Sequence, residues 1–396
     1  MIDPSMVPTI DPNPLPAPYW LFKTLLLVTF TLHIIAMNFM LGGAFLAVIA
    51  RFTSKGPLSS ENKAFRNRIF LDLAKKVPVF LAATITIGIA PLLFVQAIYG
   101  QYFYTSTILI AWPWFLLLVI LCIAYYGFYY VVYNGQRRPG PASVVSFISL
   151  VLVLIVGFIQ STNVTLMQTP THWAAKYFAS PTGWSNNLSD PTLIPRYLHF
   201  VTSAIAVGGI LLVLLALARW KSDREYAIYL FQYGGKAFMY ATMAQFIIGT
   251  WFLISIPRNF RMIFMGDSPL ASALLIAGIL GTIAAIFLMS NALRKQNIRV
   301  AAYGVSGLLA VVTITMILMR DILRDAYLEP YFHPHQFAVK TQWAVLPVFL
   351  LLFIAGVGLW LLMLQRYSLF SINKPPLADA TPTADAAAET EVELVH

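Results

Sequence analysis

Two histidines, His33 and His199, lie inside long apolar runs from which other titratable groups are nearly absent. An ionisable side chain in hydrocarbon is costly and needs a partner, which makes it a candidate functional group. Imidazole is also a common axial ligand of haem iron. Met37 and Met40 follow His33 at i+4 and i+7 on one helical face, with Gly42 and Gly43 behind them. The face of His199 continues through Thr202, Ser203 and Ala206 to Gly209, all small residues. Such a stripe leaves room for a flat macrocycle, and it equally suits close helix packing.

At a rise of 1.5 Å per residue, His33 lies about 20 Å inside its run and His199 about 9 Å inside its own. That offset points to two separate sites, or to one occupied site, rather than to one haem held between both rings. Met319 and Met167 sit near the matching ends of their runs and fit the depth of His199 as second ligands. Histidine–methionine ligation raises a haem potential, although most of the 13 methionines serve as core filler. Arg320, Asp321, Arg324 and Asp325 can pair along one helix face. They form either a solvated interfacial salt-bridge cluster or a clamp for haem propionates or a quinol head group. His333-Pro334-His335, with Glu329 upstream, is a weak metal pattern and reads more readily as an exposed loop or docking edge. His172 lies in a connection and His396 in the tail, and neither carries an argument.

The elements that must position these groups are membrane helices. Of the 396 residues, 59% are hydrophobic and 11% charged, against about 25% charged in soluble domains. Runs near 20–50, 77–99, 107–133, 143–167, 193–218, 237–256, 269–292, 300–323 and 339–364 are each long enough to span. The fold class expected is an all-α polytopic bundle of nine helices. An N-terminal segment, 1–18, precedes a membrane domain over 19–370, and an Ala/Thr/Glu-rich tail over 371–396 has the composition of disorder.

Lys and Arg concentrate after runs one, three, five and seven, which predicts the N-terminus outside and the C-terminus in the cytoplasm of a bacterial inner membrane. The net charge of +10 follows from those loops and reads as attraction to lipid rather than to nucleic acid. The single cysteine, Cys122, rules out an internal disulfide or a c-type haem attachment. There is no phosphate loop, no nucleophile triad pattern and no HExxH, and the runs carry almost no carboxylates of the kind a proton-driven pump needs.

Around both histidines the chain resembles subunit I of cytochrome bd quinol oxidases. The matching stretches are LHIIAMNFMLGGAFLA over 32–47 and PRYLHFVTSAIAVGG over 195–209. Asn163 through Met167-Gln168-Thr169-Pro170 is similar to the end of that family's fourth span, and Asp321 with Arg324 to an acidic residue and Arg in its eighth. The resemblance implies that His33 serves the oxygen-side haem pair and His199 the low-spin haem b that takes electrons from quinol. It also marks departures. Ile108–Ile120 lacks the family's span-three glutamates, and Ser268–Gly281 lacks its Met ligand and Arg. The residues around Thr313–Thr315 replace its span-eight glutamate, and the quinol loop shrinks to Pro257–Ser268.

The expected role is therefore a haem b-binding membrane subunit of an electron-transfer complex that does not reduce oxygen. It would connect the quinone pool with an outer-face partner such as a c-type cytochrome, alongside other membrane subunits. His199 and His33 would be the iron ligands, with Met319, Met167 and Arg324 as further cofactor contacts. The alternatives are a cofactor-free anchor or assembly subunit, and a small-molecule transporter.

Overall fold

Runs of about twenty apolar residues cannot leave backbone N–H and C=O groups unpaired in hydrocarbon, so they close those bonds internally as helices. The computed structural model describes residues 7–8, 13–333 and 337–363. It contains helices α1 (Tyr19–Thr53), α2 (Ser60–Leu109), α3 (Ala111–Asn134), α4 (Pro139–Met167), α5 (Trp173–Ala179) and α6 (Leu193–Arg219). These are followed by α7 (Arg224–Ser255), α8 (Arg258–Met262), α9 (Pro269–Arg294), α10 (Ser306–Leu328) and α11 (Val345–Met363). Nine helices among the described residues are long and apolar enough to cross a membrane, and the fold is the expected all-α membrane bundle. The chain divides into two compact units that meet at Phe349/Leu350, within α11. The tail over 371–396, with His396, lies outside the described residues, as do Pro334 and His335.

Several boundaries differ from the hydropathy reading. α2 starts at Ser60 rather than near 77, because Ser59 caps it by accepting from the Asn62 N–H at 3.2 Å. Lys63, Arg66, Arg68, Lys75 and Lys76, expected in a loop, therefore ride on a helix. That helical extension is pinned by ion pairs: Arg219–Asp72 at 3.0 Å and Arg68–Asp223 at 2.6 Å. Tyr226 also donates to Asp72 at 2.8 Å. At its other end α2 passes a kink at Tyr99 and continues to Leu109, so almost no loop separates it from α3. The Pro-rich N-terminal segment is likewise tied down in part. Leu15 forms a parallel bridge with Val339, and Leu15 and Ala17 are buried.

Glycines set the closest helix approaches. A Cβ on Gly42 of α1 would collide with the Ala204 carbonyl and lie 2.8 Å from the Gly208 Cα on α6. Gly209 meets the Gly234 carbonyl and the Phe238 nitrogen of α7 in the same way, at 2.5 and 2.6 Å. The small stripe beyond His199 is thus used for helix packing, and the space for a flat ligand lies elsewhere.

Gly208→Ala should therefore lower stability by about 1–3 kcal/mol through overpacking, outweighing up to ~1 kcal/mol of helix propensity. Gly307→Ala, at a position with open space around it, should leave stability unchanged or slightly raised. Thermal melting of the purified protein in detergent compares the two. Equal melting temperatures would show that the glycine contact does not govern packing.

Candidate functional site

His33 lies near the middle of α1 and faces α2. Its Nδ1 lies 3.0 Å from the Thr84 carbonyl, and its ring rests on Gly88, where a Cβ would come within 2.7 Å of Cε1. A carbonyl acceptor at Nδ1 selects the tautomer with the proton there and leaves Nε2 with its lone pair. The exposed part of the ring opens into a cavity of about 450 Å³ between α1, α2, α3, α4, α6 and α10. That volume falls within the usual range of small-molecule sites. The walls are mostly apolar, with Phe30, Leu81, Leu117 and Val153 among them, and Met37, Met40 and Met167 supply thioethers.

Arg196, Arg320 and Arg324 bring positive charge to the same cavity. Arg324 is buried and paired with Asp321, and its guanidinium lies 4.3 Å from the Tyr99 ring. Lys23 of α1 completes this cluster. Its Nζ is 3.0 Å from Asp321 and 2.7 Å from Asp325, and it donates to the Tyr99 hydroxyl at 2.8 Å. Tyr99 in turn donates to Asp325 at 2.9 Å. The charges at the end of α10 form a part-buried cluster, in which Asp325 keeps 44% of its side chain exposed, and they link α1, α2 and α10. Arg196, also buried, donates to Gln168 at 2.7 Å while its Nε has no partner. Arg320 touches the Phe30 ring at 4.3 Å and makes no ion pair among the described residues. Four cations thus face three carboxylates at this end of the bundle, Asp321, Asp325 and, near Arg196, the buried Asp190. The surplus suits a ligand carrying negative charge.

His199 occupies a different environment. It does not line the cavity; its ring leans on α7, with Gly249 one methyl away and Phe252 at 6.2 Å between ring centres. Its Nδ1 is buried without a hydrogen-bond partner. Gln245 donates to the His199 carbonyl at 2.8 Å, which secures the backbone but not the ring. Of the methionines proposed for His199, Met167 lines the cavity of His33. Met319 packs among Ile256, Phe264 and Leu323 and lines no part of that cavity.

Residue type does not single out Lys23, Thr84 or Gly88, and Gln168 and Arg196 enter the sequence reading only within the stretches that carry the resemblance. Lys23 had a readable signal, an isolated cation four residues into an apolar helix. Gly88 had none, because its role depends on which ring lies opposite. Thr313 and Thr315 donate to the Leu309 and Val311 carbonyls of their own helix. His172 is exposed in a short turn, and no group of three His, Cys, Asp or Glu side chains able to hold a metal occurs among the described residues.

Comparison with solved structures gives the fold a precedent. The chain superposes on a chain of the bd oxidase from Geobacillus thermodenitrificans with a TM-score of 0.68, covering 91% of this chain and 100% of that one. The fold is bd oxidase-like. Sequence identity over the match is 12%. No protein-family model matches the chain, and no curated protein is similar to it in sequence.

Replacing Lys23 with Met leaves two carboxylates sharing one Arg, and breaking such a buried pair costs about 3 kcal/mol. Lys23→Met should melt well below wild type, and Lys23→Met/Asp325→Asn should regain part of the loss. A double variant no better than the single one would show that the two residues are not coupled.

Proposed function

We propose that this chain is a haem b-binding subunit of a membrane electron-transfer complex in a bacterial inner membrane, with His33 as the principal iron ligand. The supporting observation is the pairing of Nδ1 with the Thr84 carbonyl, which orients the ring and leaves Nε2 free on a residue that lines the cavity. Metal-ligating histidines characteristically donate their second nitrogen in this manner. The residues present fit the group. A haem has an apolar body and two carboxylates, and the cavity has apolar walls with Arg196, Arg320 and Arg324 as candidate partners for negative charge. Met167, from α4, is a candidate second ligand. Haem, when bound, supplies one-electron transfer, and the protein supplies ligation, burial and charge.

His199 ranks second in this reading, because its orphaned Nδ1 lacks the orienting acceptor that His33 has. Loop charge supports the cavity's arginine-bearing end facing outward. An outer-face partner such as a c-type cytochrome would meet the complex on that side. Exchange with the quinone pool and association with further membrane subunits belong to the same reading. So does the lack of oxygen reduction, which rests on the glutamates missing from α3 and α10.

The purified full-length chain, produced with ample haem, should show a Soret band and a b-type reduced-minus-oxidised spectrum. His33→Ala should abolish most of that pigment, whereas His199→Ala should retain it. Gly88→Ala, which forces the His33 ring off α2, should weaken haem retention about 10-fold or more, in the range seen when a ligand loses its orienting shell. Colourless wild-type protein would overturn the proposal in favour of a cofactor-free anchor. Pigment lost only with His199 would move the site to α6 and α7.

A further inference from the structure

At the opposite end of the bundle from the cavity arginines, α2 and α7 present a second basic site. Arg66 donates to the Tyr229 hydroxyl at 3.1 Å, and its guanidinium lies 5.6 Å from the Tyr233 ring. Tyr229 and Tyr233 stack with only 10° between their planes. Lys63 lies three residues before Arg66, and Lys236 three residues after Tyr233. None of these three cations takes part in an ion pair among the described residues. Glu61 and Glu225, exposed in the first turns of α2 and α7, make none either. By contrast, the neighbouring Arg68 and Arg219 are paired with Asp223 and Asp72.

Two contacts fix the level of this site. Arg51, which ends the apolar run of α1, donates to Asn67 at 2.6 Å, and Arg219, which ends α6, pairs with Asp72. The stretch of α2 around Arg66 therefore stands where the apolar parts of α1 and α6 stop. Tyr229, Tyr233, Lys236, Tyr240, Met243 and Ile247 recur at spacings of four and three, so they share one face of α7. The lower part of that face is open, with Tyr240 69%, Met243 45% and Ile247 76% exposed. This face of α7 thus carries Lys236 and tyrosine rings at its polar end, with Arg66 of α2 beside them, and an uncovered apolar track below.

We propose that Lys63, Arg66 and Lys236 hold the phosphate of an anionic phospholipid whose acyl chain lies along Tyr240, Met243 and Ile247. Arg66 is positioned for this by its aromatic platform. The Tyr233 face and Tyr229 hydroxyl hold the guanidinium plane while its remaining N–H groups stay available to phosphate oxygens. The tyrosines sit at the depth where such rings concentrate in membrane proteins. The site shares no residue with the haem cavity and does not depend on haem binding.

The test is native mass spectrometry of the full-length protein in detergent, titrated with phosphatidylglycerol or phosphatidylcholine bearing identical acyl chains, and separately with glycerol phosphate. Wild type should retain phosphatidylglycerol in clear preference. Lys236→Gln and Arg66→Gln should each reduce that preference about five-fold, the contribution of one surface cation. Arg137→Gln/Arg138→Gln, which removes exposed charge outside the site, should leave it intact. Lys236 is exposed, so its variant remains informative if Arg66→Gln fails to fold. Equal retention of both lipids, an equal loss with the Arg137/Arg138 variant, or glycerol phosphate binding as tightly as the lipid would each overturn the proposal.

Discussion

Part-buried charge pairing governs the arginine-bearing end of this bundle. Lys23, Asp321, Asp325 and Arg324 come from two helices distant in sequence, and Tyr99 from a third adds its hydroxyl between them. Each group buried alone would face a desolvation cost of several kcal/mol, so the three helices are held at the register that brings them together. That register also places Arg320 and Arg324 on the cavity wall. The structural cluster and the charge surplus at the candidate site are therefore two consequences of one arrangement.

Packing divides the interior in a complementary way. Where glycines face each other, at Gly42 with Gly208 and at Gly209 with Gly234, backbones come into direct contact and no ligand can enter. Towards the other end, α1, α2 and α4 carry Phe30, Met37, Leu81, Val153 and Met167, and the helices separate around a cavity of about 450 Å³. Gly88 serves a different purpose. It lets an imidazole, rather than another backbone, lie against α2. The same residue type closes one half of the bundle and seats a side chain in the other.

The two histidines show how far residue type carries an inference. Both stand out because titratable groups are scarce in apolar runs, and the resemblance implies a haem role for each. Their surroundings differ. His33 has a carbonyl acceptor and an accessible cavity, whereas the Nδ1 of His199 is sealed without a partner. Met167 was assigned by depth to His199, yet it lines the space beside His33. Depth along a helix axis is readable from spacing, but the direction in which a side chain points around that axis depends on the neighbouring helices.

Sequence by itself determined the class of fold, because about twenty apolar residues in a row leave helices as the only way to satisfy the backbone in lipid. It also exposed the scarce ionisable groups inside those runs, since each is costly there whatever surrounds it. Only the tertiary structure decided that Asp321 and Arg324 are buried beside Lys23, that the glycine stripe packs helices, and that His33 lines a cavity. Those outcomes depend on contacts between residues as far apart as Lys23 and Asp325. Local spacing carries the period of a helix, while partner identity is set by how the helices pack against one another.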